Sequence, residues 1–154
     1  MGFDYTYSER ILMALITGFS NLGSIPPLYL MYKNERTFET CIGSFTLIVS
    51  FLYHVCESLE VSFYLEQDQW HILDNIGSIN CFNSLLMSLG KTGRTHDEHI
   101  YLNMTSLFLV ITMQTKNPWD LFNTIFPLIL FTFILFYDFV KRGVPTYNKE
   151  AMKK

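Results

Sequence analysis

In the segment Ser50-Phe-Leu-Tyr-His54-Val-Cys56-Glu57 a hydroxyl and an imidazole stand four residues apart in an otherwise apolar stretch. A helix stacks such a pair on one face. Asp74 lies in the next apolar segment, where an ionisable group is costly and needs a partner. Neutral imidazole nitrogen and carboxylate oxygen are ordinary zinc ligands, which makes His54 and Asp74 candidate metal ligands; Ser50 would orient a bound water or ligand. A metal there would lower the pKa of its water and polarise a carbonyl, which is the chemistry of hydrolysis. The same three groups also suit interhelical glue, in which Ser, His and Asp bond one another and nearby backbone. A catalytic zinc takes three protein ligands and only two are evident, so the spacing leaves both readings open.

The other chemistry-bearing residues are weaker candidates. His71, one turn before Asp74, is either a third ligand or an interfacial histidine beside Trp70, and the second is expected. His96 and His99 flank Asp97-Glu98 and read as a solvated connector. Cys56 reads as a buried structural thiol. Three cysteines scattered in and around apolar segments make no disulfide framework.

The elements that must hold these residues are apolar helices. Of 154 residues 49% are hydrophobic, 16% aromatic and only 16% charged, the composition of a membrane protein. A net charge of −3 gives no nucleic-acid footprint. Residues 11–32 carry no charge and are long enough to cross a hydrocarbon core of about 30 Å. A cleaved signal peptide would need a positively charged lead, so a retained helix is expected, kinked at Pro26-Pro27. Further spans are expected at 40–56, 70–89, 101–115 and 119–140, followed by a basic tail at 141–154. The fold class is therefore all-α: a polytopic helical bundle of five spans in a single transmembrane domain. The third span is unusually polar. At 100° per residue His71, Asp74, Ser78, Cys81 and Ser88 fall on one stripe, which should face the bundle rather than lipid. The Phe-rich fifth span should face lipid.

Nine of the eleven basic residues fall in alternate loops and the tail, leaving Arg10 and Lys116 opposite. The positive-inside rule then places the N-terminus outside or in the lumen and the tail in the cytosol. The second and third spans run in opposite directions, which brings His54 and Asp74 to a similar depth beneath an outer loop bearing Glu57, Glu60, Glu66 and Asp68.

Three motifs carry a resemblance. Ser50 followed by Tyr53-His54-Val-Cys56-Glu57 resembles the Ser-x-x-x-Tyr-His-x-Cys-Asp signature of the transmembrane protein 8 (myomaker-like) family. The Leu73-Asp74-Asn-Ile-Gly77-Ser78 run resembles its acidic third-span motif. Lys141-Arg142-Gly-Val-Pro145-Thr-Tyr147 resembles the basic turn after its fifth span. The motifs occur in family order along the whole chain. The resemblance implies kinship with a superfamily of seven-helix proteins that includes alkaline ceramidases and adiponectin-type receptors, several of them zinc-dependent lipid amide or ester hydrolases. It implies that Ser50, His54 and Asp74 occupy that superfamily's Ser, His and Asp positions. Two departures accompany it. Glu57 stands where the signature has Asp, and the family closes its zinc site with a His-x-x-x-His on a seventh helix, beyond the five spans read here. Two further apolar segments, the second bearing that pair, are therefore expected beyond residue 154. The implied function is a zinc-dependent lipid hydrolase in the intact form, acting on a lipid substrate in the bilayer. The alternative is a non-enzymatic membrane protein of adhesion, fusion or membrane remodelling.

The charge pattern generates a direct expectation. A glycosylation acceptor engineered into residues 58–69 should be modified and one in residues 91–99 should not; modification of the second loop alone would reverse the orientation.

Overall fold

The computed structural model describes residues 6–89 and 95–142. The basic motif from Gly143 onward, most of the tail, Lys91 and Arg94 lie outside the described residues. The chain folds as helix α1 (Tyr7–Ser20), a 3-10 turn (Asn21–Ser24), α2 (Ile25–Lys33), α3 (Thr37–Leu59), α4 (Gln67–Leu89), α5 (His96–Lys116) and α6 (Leu121–Arg142). The all-α expectation holds, and each expected span coincides with a helix or helix pair.

The break in the first span lies one turn earlier than expected. Pro26 and Pro27 occupy the first turn of α2 and do not kink a continuous helix. Lacking N–H groups, they cannot bond the carbonyls of Leu22 and Gly23, so the preceding turn tightens to 3-10 geometry. Side chains satisfy carbonyls at the break: the Ser24 hydroxyl donates to the Asn21 carbonyl at 2.6 Å, and the Asn21 amide donates to the Thr17 carbonyl at 3.2 Å. α5 starts at a reciprocal cap, in which Thr95 Oγ1 accepts from the Glu98 N–H and the Glu98 carboxylate accepts from the Thr95 N–H. That cap extends the fourth helix well beyond the fifteen residues expected from hydropathy.

The stretch Tyr7–Lys33, α3 and α6 are each long and apolar enough to cross a membrane. Their large apolar side chains remain outward-facing, as Leu12, Ile16 and Phe19 of α1 and Phe122, Phe133 and Phe136 of α6 show. Exposed apolar surface on this scale marks a lipid-facing exterior. α4 and α5 are equally long but more polar, because their Asn, Gln and Ser side chains are inside the bundle.

α3 and α4 pack antiparallel along their length. Arg36 reaches Ser88, Thr46 meets Gly77 and Cys81, and Tyr53 meets His71. The close approach depends on Gly77, where a Cβ would lie 2.5 Å from Thr46 Oγ1 and 3.2 Å from the Thr46 Cα. One apolar cluster (Val49, Tyr53, Cys56, Trp70) joins α3 to α4, and a second (Ile76, Ile79, Val110) joins α4 to α5. Cys56 is buried, as expected.

Between α4 and α5 the interior is polar. Asn83 Nδ2 donates to Ser106 Oγ at 2.9 Å, Ser106 Oγ donates to Asn80 Oδ1 at 2.9 Å, and Ser84 Oγ donates to Asn103 Oδ1 at 2.7 Å. Each such bond in a membrane interior contributes about 0.6 kcal/mol on average. His99 corrects the expectation of a solvated connector. It is buried in the first turn of α5, with Nε2 3.1 Å from Glu39 Oε1 of α3, and both side chains are 8% exposed. Glu39 also receives the Arg36 guanidinium at 2.8 Å. Tertiary pairing thus draws an end-of-helix histidine inside, a partnership across sixty residues that local polarity does not show.

Two substitutions test this packing. Gly77→Ala should destabilise the bundle by about 1–3 kcal/mol through overpacking against Thr46, whereas Gly23→Ala, with open space at its Cβ, should change little. Glu39→Ala should cost about 3 kcal/mol by stranding His99 and Arg36, and Glu39→Gln should cost less. Thermal unfolding of the detergent-solubilised protein checks both, and equal midpoints for wild type and Glu39→Ala would show that the buried pair does not hold α3 to α5.

Candidate functional site

A groove of about 480 Å³ runs along α3, with α2 on one side and α4 on the other. Its middle is apolar, formed by Leu28, Met31, Ile42, Leu47, Phe82 and Leu85. Phe82 and Leu85 are 47% and 53% exposed, so the groove opens sideways between helices rather than being sealed in the core. The volume lies in the range of small-ligand sites. Both ends are polar. Arg36, Glu39, Ser84 and Ser88 line one, and Asn21, Ser24, Ser50 and Ser78 line the other.

The polar stripe read from the α4 sequence faces this groove over much of its length, since Ser78, Cys81 and Ser88 all line it. A second polar stripe of α4, made of Asn80, Asn83 and Ser84, is the one buried against α5. Its spacing was present in the sequence, but hydropathy alone does not separate it from the groove-facing stripe.

Of the sequence-predicted site residues, Ser50 lines the groove, and His54 and Asp74 are not among its lining residues. Antiparallel register places Ser50 of α3 level with Asp74 of α4, and His54 lies one turn beyond. Ser50 is buried and lines the groove. His54 is half-buried; its Nδ1 lies 3.5 Å from Glu57 Oε2 and its ring packs beside Tyr53. Tyr53 donates to Glu57 Oε1 at 2.9 Å, so Glu57 gathers both neighbours on its own helix. Asp74 Oδ1 is buried without a hydrogen-bond partner.

His71, expected as an interfacial histidine beside Trp70, packs in this cluster. Its ring stacks on Trp119 with centroids 3.9 Å apart and planes 11° apart, and lies 5.2 Å from Tyr53. Its Nε2 is 3.2 Å from Asn75 Nδ2. The same amide nitrogen donates to Gln114 Oε1 at 2.9 Å and approaches the Pro118 carbonyl at 3.3 Å. Gln114 in turn donates to the Asn123 carbonyl at 3.1 Å, tying α4, α5 and the start of α6 together. Asn75 and Gln114 were not singled out from the sequence, because a single amide on a helix carries no local signal of a partner on another helix.

As a zinc site the donor set is incomplete. Among the described residues, no group of three or more His, Cys, Asp or Glu side chains converges as a metal would need. His54 and Asp74 remain two donors where a catalytic zinc takes three from the protein. What the arrangement does provide is a groove open to its surroundings that ends at the buried Ser50 hydroxyl, with the unpartnered Asp74 Oδ1 level with it on α4 but outside the groove's lining.

A protein family described as "Protein of unknown function (DUF3522)" matches residues 9–154. Transmembrane protein 8B of Homo sapiens is 23% identical over 119 residues, and the Bos taurus and Mus musculus proteins of that name match equally. The aligned region is 75% of this chain and 25% of each relative, so the chain spans about a quarter of the length of the relatives it matches. Apolar outward-facing helices, the three motifs in order and a family match over nearly the whole length converge: this all-α membrane chain belongs to the DUF3522 family and is of the transmembrane protein 8 type.

Proposed function

We propose that this chain binds a membrane lipid, with an acyl chain in the groove along α3 and the polar end of the lipid at Ser50 and Asp74. The observation that carries this reading is the groove itself, which opens sideways from a bundle whose outer surface is apolar. In a bilayer such a groove would meet hydrocarbon, and what enters it from there is an acyl chain. In this reading α4 and α5 cross the membrane with the other helices, giving five spans with the N-terminus outside or luminal and the tail cytosolic. The polar faces of α4 and α5 are compatible with crossing because they bond to each other inside the bundle.

Binding alone serves a non-enzymatic role in adhesion, fusion or membrane remodelling. Lipid amide or ester hydrolysis is a second reading, favoured by the burial of Ser50 at the groove's end. There Ser50 would hold the carbonyl or a water, and the carboxylate of Asp74 would hold a proton or a positive charge. Zinc, if bound in the intact protein, would be held by His54 and Asp74, and a further ligand would have to come from outside the described residues.

A lipid carrying a photoreactive group midway along its acyl chain tests the binding. Cross-links should concentrate on Leu47, Cys81 and Leu85; cross-links confined to outward residues such as Phe133 would overturn it. Full-length protein purified from membranes separates the two readings. The hydrolase requires about one zinc per chain and fatty-acid release from ceramide or phospholipid that Ser50→Ala and Asp74→Asn abolish. Retained lipid without either leaves the non-enzymatic role.

A further inference from the structure

The lipid-binding reading uses the Ser50 end of the groove, and the opposite end has a different chemistry. Asn21, Ser24, Ser50 and Ser78 give the first end hydroxyls and an amide but no charge. Arg36 brings a guanidinium to the second, beside Glu39, Ser84 and Ser88. Fourteen residues separate Arg36 from Ser50 in the sequence, a helical rise of about 21 Å. One headgroup does not reach both ends, so they are separate polar sites joined by the apolar middle.

Arg36 is held in place and still has donors to offer. Its Nη2 donates to Ser88 Oγ and lies 2.8 Å from Glu39 Oε1. Among the described residues its side-chain bonds all run through that one nitrogen, whereas a guanidinium carries five N–H groups in a planar fork. Glu39 does not cancel this toward the groove. Its side chain is 8% exposed against 31% for Arg36, and the oxygen that meets Arg36 also meets His99 Nε2 at 3.1 Å. The accessible part of the pair is therefore the cation. The other acids near this end, Glu35, Asp97 and Glu98, are exposed and do not line the groove. A fork with free N–H groups beside an apolar channel fits an oxyanion that carries an acyl chain. Basic pockets between membrane helices take lipid headgroups in this way.

We propose that the Arg36 end of the groove is a second headgroup site, which takes the phosphate of an anionic glycerophospholipid from the leaflet at that end. Its acyl chain occupies the same apolar middle, so this lipid competes with the one held at Ser50. The proposal rests on the lipid-binding reading, and its test keeps the two apart. The full chain is exchanged into an equimolar mixture of phosphatidylglycerol and phosphatidylcholine with identical acyl chains, and retained lipids are counted by native mass spectrometry. Wild type should retain phosphatidylglycerol over phosphatidylcholine by about fivefold or more. Arg36→Gln combined with Glu39→Gln, which replaces the ion pair by neutral groups of similar size, should erase that preference. Arg36→Lys, which keeps the charge beside Glu39 and loses the fork, should at least halve it. Equal or weaker retention of phosphatidylglycerol by wild type would overturn the assignment. So would a preference that persists undiminished in these variants, the result expected if the basic tail alone attracts acidic lipid. Added phosphatidylglycerol should also lower cross-linking of a photoreactive phosphatidylcholine to Leu47, and unchanged cross-linking would overturn the competition. Leu85→Trp, at the open side of the groove, should reduce retention of both lipids alike. Undiminished retention there would count against the groove itself, and so against the reading on which the second site rests.

Discussion

A polar side chain inside a membrane bundle has to find its partner on a neighbouring helix, because neither hydrocarbon nor bulk water can supply one. α4 concentrates that constraint. It carries Asp74, Asn75, Asn80, Asn83, Ser84 and Ser88, too many polar groups for a helix that faces lipid. It is accordingly the central helix, packed against α3, α5 and α6. Its Asn83, Ser84 and Asn75 side chains bond Ser106, Asn103 and Gln114 of α5, and its close approach to α3 requires a glycine at position 77. The more apolar helices are arranged around it, with their Phe, Leu and Ile side chains outward.

The two polar stripes of α4 have different consequences. The stripe against α5 bonds across to Ser106 and Asn103, which holds the two helices in register, although Asn83 Oδ1 and Asn103 Nδ2 keep no partner. The stripe toward α2 and α3 borders open volume, and near its Asp74 end polar atoms are left without partners. By helical periodicity the two stripes lie roughly a third of a turn apart, and Ser84 touches both the α5 network and the groove. The buried Glu39–His99 pair likewise joins two helices, and Glu39 also lines the far end of the groove.

The groove and the His54–Asp74 region meet at Ser50. Glu57 stands close to the His54 ring and accepts from Tyr53, and so holds the imidazole toward its own helix. The resemblance to zinc-dependent hydrolases concerns residue types and order, and the geometry adds that two metal donors of this chain are not by themselves a catalytic site.

Much of the architecture was legible in the sequence. Apolar runs of helical length that carry few charges, and the loops between them, determined the approximate limits of the helices, because a buried backbone must satisfy its own hydrogen bonds and the side chains facing lipid must be apolar. The Ser50–His54 spacing and the α4 stripe through Ser78, Cys81 and Ser88 were also readable, since helical periodicity assigns faces without reference to any neighbour. Tertiary structure decided which neighbour each face meets. It moved the break of the first helix to Asn21–Ser24, buried His99 against Glu39, stacked His71 on Trp119 and assigned Asn80 and Asn83 to α5. Each of these outcomes depends on a partner distant in sequence or on backbone hydrogen bonds redistributed around the prolines. Periodicity along one helix contains no term for either.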